Sequence, residues 1–138
     1  MHGGRRRLGD FQRFHRALDR EKGFGADLSF NFVGLTEEVG EVGREIKLVL
    51  RQAESLRTTA TNQDEALERA LAAKRPVLAA EMSDVLAYLL KLANYAGIDL
   101  EAAYVEKMGH NWRRSWDVDM DSFSEQAPFK QAPFEQAP

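Results

Sequence analysis

From Phe32 to Ala53 the apolar residues Phe32, Leu35, Val39, Val42, Ile46, Val49 and Ala53 recur at alternating steps of three and four. That period is the narrow, coiled-coil-like seam of a long helix. Such a seam needs other helices packed against it, because an amphipathic helix gains most of its stability from burying that face. The seam therefore demands helical partners, of which a chain this thin has few of its own.

Asp10 reads as an N-cap, followed by Phe11, Phe14 and Leu18 at helical spacing, so a first helix runs to about Lys22. His15 lies beside this stripe and reads as a satisfied or partly exposed histidine. Gly23-Phe24-Gly25 is a stop and a loop. Ser29 is placed to cap the long second helix, which TTAT at 58–61 interrupts. Asn62 and Glu65 form a capping-box-like start to a short third helix ending near Lys74. Pro76 suits the first turn of a fourth, Val77 to Ala96, which is apolar almost all round and so reads as central. Gly97 ends it, and Asp99 caps a last helix reaching about Arg114. No segment alternates as a strand would. The fold class expected is all-α, a bundle of about five helices.

The ends differ from this middle. Residues 1–9 begin MHGGRRR, a basic and flexible start with no apolar stretch behind it, so it is not a secretory signal. Residues 117–138 end in QAPFK, QAPFE, QAP, a low-complexity repeat expected to be disordered. The domain expected lies between, at 10–116. There are no cysteines, which excludes disulfides, thiolate zinc sites and cysteine nucleophiles. A net charge of −3 argues against a general nucleic-acid binder. No apolar run is long enough to span a membrane. A cytoplasmic protein is the expectation.

Charge then narrows the chemistry. On the second helix Glu38, Glu41 and Glu45 form a strip beside the seam, with Glu37 further round and no lysine or arginine within the strip. Like charges three and four apart each cost about 0.2–0.5 kcal/mol. Glu81 and Asp84 sit three apart on the apolar side of the central helix, with no basic residue three or four positions away. Carboxylates in such a setting protonate, pair or bind a metal. Two helices thus offer ExxE (Glu38, Glu41) and ExxD (Glu81, Asp84), an all-oxygen donor set suited to Mg²⁺ or Mn²⁺. A di-iron bundle would need Glu-x-x-His, and His110 follows Glu106 by four, so iron is disfavoured. The glycines of the acidic helix, Gly34, Gly40 and Gly43, allow a partner helix or a ligand to come close; Gly34 falls on the acidic side. On the last helix Lys107, Asn111 and Arg114 share a face, and lysine and arginine are phosphate ligands. Acidic pairs with a basic face point to a metal-bound phosphate substrate, with Glu37 or Glu38 to orient or deprotonate the attacking water. Phe11, Phe14, Phe30 and Trp112 are the aromatic residues that stack on a base if they are not core.

EEVGE (Glu37 to Glu41), EMSDVLAYLLKLA (Glu81 to Ala93), GIDLEAA (Gly97 to Ala103) and KMGHNWRRSW (Lys107 to Trp116), in this order, resemble the MazG-like nucleoside triphosphate pyrophosphohydrolases of the all-α NTP pyrophosphatase superfamily. The likeness covers residues 10–116. It implies Mg²⁺-dependent hydrolysis of an NTP or dNTP to the monophosphate and pyrophosphate, as nucleotide-pool house-cleaning. It implies metal ligation by Glu38, Glu41, Glu81 and Asp84, with Glu37 assisting, and phosphate contacts from Lys107, Asn111 and Arg114. It also implies a homodimer or homotetramer whose bundle is completed between subunits. The 39 residues between Glu41 and Glu81 are a longer gap than many relatives have, and the QAPF tail has no counterpart in the family pattern. Two other readings remain at this stage. One is a non-catalytic helical interaction module that docks through the acidic strip; the other keeps the superfamily but acts on dUTP or phosphoribosyl-ATP.

Overall fold

The computed structural model describes residues 7–24 and 27–113. These form four helices: α1 (Leu8–Lys22), α2 (Leu28–Leu56), α3 (Gln63–Tyr95) and α4 (Leu100–Arg113). The all-α expectation holds, with four helices where five were expected. The difference lies at Pro76. The sequence suggests one helix over 62–74 and another over 77–96, yet α3 runs through the proline without a break. Proline inside a helix forfeits one backbone hydrogen bond and costs about 3 kcal/mol. Here no cap or turn residue stands beside it to stop the helix. Ala72, Ala73, Lys74 and Arg75 before it, and Leu78, Ala79 and Ala80 after it, are good helix formers. Packing along α2 holds the two halves in line.

The helix starts also shift by a turn or less. Asp10 lies inside α1, at its third position, where its carboxylate accepts the Arg7 backbone N–H at 2.7 Å. The cap of α2 is Asp27 rather than Ser29, its Oδ1 accepting from Phe30 N at 2.5 Å. The start of α3 follows the sequence: Asn62 Oδ1 accepts from Glu65 N at 2.9 Å, and the Glu65 carboxylate reaches back to Thr61 N at 2.8 Å. Gly97 closes α3 in the left-handed region, φ 68°, while Ile98 N donates back to Ala93 O at 2.8 Å.

α2 and α3 form a long antiparallel hairpin that carries most of the interhelical packing. Contacts descend α3 as they ascend α2: Gly34 meets Tyr88, Glu38 meets Asp84 and Glu81, Glu45 meets Lys74. α1 crosses the C-terminal end of α3. Gln12, 2 % exposed, ties this junction: its amide donates to Ile98 O at 2.9 Å and Asn94 Oδ1 at 3.2 Å, while its carbonyl accepts Leu100 N at 3.1 Å. One turn and more further along α1, buried Asp19 accepts Tyr95 Oη–H at 2.6 Å and pairs with Lys91 Nζ at 3.1 Å. Burial, with the bond to Asp19, pushes the Tyr95 phenol up to about 12. The Lys91 ammonium also lies 5.3 and 5.5 Å from the ring centres of Phe24 and Tyr88.

Which face of each helix is inside differs from the expected pattern. On α2 the buried residues are Asn31, Gly34, Glu45 and Val49, so the inward face is the small and acidic one. Phe32, Val39 and Ile46 of the seam are exposed, as are Met82, Leu86 and Leu89 of α3. Phe11 and Phe14 of α1 face outward as well. His15 is half-buried, with Nδ1 enclosed and lacking a hydrogen-bond partner; burial holds its imidazole below the ordinary value. Among the described residues the apolar core is Val49, Ala66, Ala70, Leu90 and Ala93. Arg114, Trp116, the QAPF repeat and most of the basic start lie outside the described residues.

Candidate functional site

The hairpin decides which carboxylates meet. Gly34 lies one helical turn before Glu38, and Tyr88 one turn after Asp84. A Cβ built on Gly34 would stand 2.6 Å from Tyr88 Cζ, 2.9 Å from Cδ1 and nearer still to Cε1. Only a residue without a side chain lets the Tyr88 ring lie on the α2 backbone there. At that close approach the next turn brings Glu38 across to Glu81 and Asp84. One oxygen from each of these three lies within 4.8 Å of the others. Glu38 and Glu81 are half-buried, and Asp84 is exposed, so the group opens to solvent on one side.

Among the described residues no cation is found among the charges that act on Glu38. Partial burial, then the charges of Asp84, Glu81, Glu37 and Glu41, raise its carboxyl above the ordinary value. Every charged neighbour in that set is another carboxylate. The donor set fits a hard divalent cation: all oxygen, negatively charged, and gathered from two helices into one place.

The remaining acids of the strip are handled differently: no lysine or arginine stands within the strip, but basic side chains beside it and on α3 reach in. Glu45, 4 % exposed, receives Lys74 Nζ from α3 at 3.2 Å and lies 3.5 Å from an Arg44 nitrogen. Arg44 also stands 2.6 Å from Glu41 Oε2. Glu41 therefore points to Arg44 and is not part of the close trio, although it shares the half-buried strip. Glu37 is exposed on the neighbouring side of the helix. The Arg44 pairing could be read from its position three after Glu41. The Lys74 pairing could not, because it depends on the register of α3 against α2.

Lys107 and Asn111 stand on α4, whose packing is chiefly on α1. Gly9 N donates to Glu101 Oε2 at 2.9 Å across that junction, where Arg7, Arg13, Asp99 and Glu106 line a surface cleft. The single chain thus brings Glu38, Glu81 and Asp84 together and leaves Lys107 and Asn111 on a separate helix. Arg114 falls outside the described residues. No described helix is long and apolar enough to cross a membrane.

A family model, the MazG nucleotide pyrophosphohydrolase domain, matches residues 29–115. That span contains α3, α4 and all of α2 except its first residue. No curated protein and no solved structure matches the chain.

Proposed function

This chain belongs to the MazG nucleotide pyrophosphohydrolase family, and from that premise we propose that it hydrolyses a nucleoside triphosphate to the monophosphate and pyrophosphate, with Mg²⁺ or Mn²⁺ as cofactor. The observation that carries the reading is the trio of Glu38, Glu81 and Asp84, with oxygens within 4.8 Å and only like charges around Glu38. Three converging carboxylates repel a triphosphate unless a cation stands between them. A divalent cation held by the trio, joined by Glu41 once released from Arg44, would supply the positive charge that grips phosphate oxygens and offsets charge developing at phosphorus.

The chain's own groups then have separate tasks. Glu81 and Asp84 are fixed one turn apart on α3 and set the position of the phosphates. Glu38, on the opposing helix, closes the cage. Glu37, exposed beside it, is placed to orient the attacking water and take its proton. Lys107, Asn111 and Arg114 contact the phosphates. The catalytic unit proposed is 10–116, and it acts as a homo-oligomer, because the apolar stripes of α2 and α3 lie uncovered on one chain. The role proposed is removal of unwanted nucleotides from the cytoplasmic pool.

Incubation with a panel of NTPs and dNTPs, including dUTP, and with phosphoribosyl-ATP tests this, read by ³¹P NMR with and without Mg²⁺. Monophosphate and pyrophosphate in equal amounts, abolished by EDTA, are expected. Orthophosphate as the first product, or turnover indifferent to EDTA, would contradict the reaction as stated.

A further inference from the structure

We propose that Lys91, held by Asp19 of α1, is a positioning residue for the metal site: its ammonium keeps the Tyr88 ring against Gly34, and that contact sets the reach of Glu38 to Glu81 and Asp84. The inference rests on the proposed metal-binding reading. It adds a control on that site from α1, which lies outside the span that the family model matches.

The sequence lays out the path. Glu81, Asp84, Tyr88, Lys91 and Tyr95 recur on α3 at steps of three, four, three and four, so they form one stripe of that helix. The first half of the stripe faces α2: Glu81 and Asp84 meet Glu38, and Tyr88 meets Gly34. The second half faces α1: Lys91 Nζ stands 3.1 Å from Asp19 Oδ1, and Tyr95 Oη–H donates to Asp19 Oδ2 at 2.6 Å. Tyr88 lies where the two halves join.

Burial makes the ion pair a fixed point. Both side chains are largely enclosed, and the Lys91 ammonium lies over the Tyr88 ring, 5.5 Å from its centre. It lies 5.3 Å from the centre of Phe24 as well. A cation over an aromatic face is attracted by the ring's quadrupole, and more strongly where water is excluded. Without its partner, a lysine on a flexible four-carbon stem turns its charge to water. The Asp19 carboxylate keeps the ammonium inside, and the Tyr95 hydroxyl keeps the carboxylate in place. Among the described residues the Tyr88 hydroxyl makes no hydrogen bond, so packing and the cation alone place this ring. A ring that leaves Gly34 lets α2 shift against α3, and Glu38, one turn further on, shifts with it.

Asp19→Asn combined with Lys91→Met tests this. The two charges go together, so net charge is unchanged and no buried ion is left alone. The asparagine oxygen still accepts the Tyr95 hydroxyl. In calorimetric titration without nucleotide, this variant is expected to bind Mn²⁺ about three- to tenfold more weakly than wild type. Urea titration in EDTA reads its stability separately. A role confined to stability leaves the affinity of the folded protein unchanged, so wild-type Mn²⁺ affinity in the folded variant would overturn the proposal. The route through Tyr88 is read from a double-mutant cycle. In a Tyr88→Leu background the same charge replacement should weaken Mn²⁺ binding no further; an equal further loss would overturn the proposal. No Mn²⁺ binding by folded wild type would instead sink the metal reading, and this proposal with it. If the charge-pair variant does not fold, Tyr88→Phe and Tyr88→Leu carry the test. The first keeps a ring under the ammonium and should match wild type, and the second should bind about threefold or more weakly. Equal affinities in these two variants would overturn the proposal.

Discussion

Glu38 carries a charge that the folded chain does not want without a cation. Its carboxyl binds a proton more tightly in the folded protein than in the unfolded chain. Folding is therefore favoured by this group in acid, and that contribution is lost as pH rises through the raised value. Glu38→Gln should accordingly raise the melting temperature in EDTA at pH 7. The difference should vanish below the ordinary value of 4.5, where the wild-type group is protonated in both states. The variant should also lose the stabilisation that Mg²⁺ gives wild type. Melting curves across pH check this; a variant less stable than wild type at pH 7 in EDTA would show the repulsion is not there. Asp19 is the opposite case, a buried carboxylate with a partner. Its side chain is 8 % exposed and that of Lys91 14 %. Asp19→Ala leaves an enclosed ammonium unpaired, so a loss of about 3–5 kcal/mol is expected in urea titration. A loss under about 1 kcal/mol would place the pair with ordinary surface bridges.

At the scale of elements, the α2–α3 register makes the site, and Gly34 makes the register. Gly34→Ala puts a methyl group into the Tyr88 ring, which forces the helices apart or the ring away. Overpacking of this kind costs about 1–3 kcal/mol. The melting shift produced by Mg²⁺ should fall with it, because Glu38 loses its reach to α3. Wild-type stability together with a wild-type Mg²⁺ response would sink this account of Gly34. The sequence placed Gly34 on the acidic side and offered Glu38, Glu41, Glu81 and Asp84 as the converging set, of which the fold brings three together and leaves Glu41 with Arg44. It did not show that Pro76 would sit inside a helix. A proline marks a boundary only when the local sequence also offers a cap, and between Lys74 and Val77 there is none. Nor could it show Lys74 reaching Glu45, since a contact 29 residues apart depends on pairing that no single helix encodes.

For the whole molecule, the informative mismatch is the seam of α2. Its period was plain, yet Phe32, Val39 and Ile46 lie at the surface while Asn31 and Glu45 are buried. Hydrophobic periodicity tells which stripe must be covered, not whether the cover comes from the same chain. Phe32→Glu with Val39→Lys should therefore leave each chain helical by circular dichroism but lower the mass seen by light scattering. An unchanged mass would mean that this stripe is not the contact. The central claim, that acids from two helices hold a shared cation, is tested most directly by calorimetric titration of Mn²⁺ into the wild-type protein and Asp84→Asn. The account predicts saturable binding to wild type and at least a tenfold weaker curve, about 1.4 kcal/mol, for the variant. Equal binding curves, or no heat from wild type under conditions where the chain is folded, would contradict it.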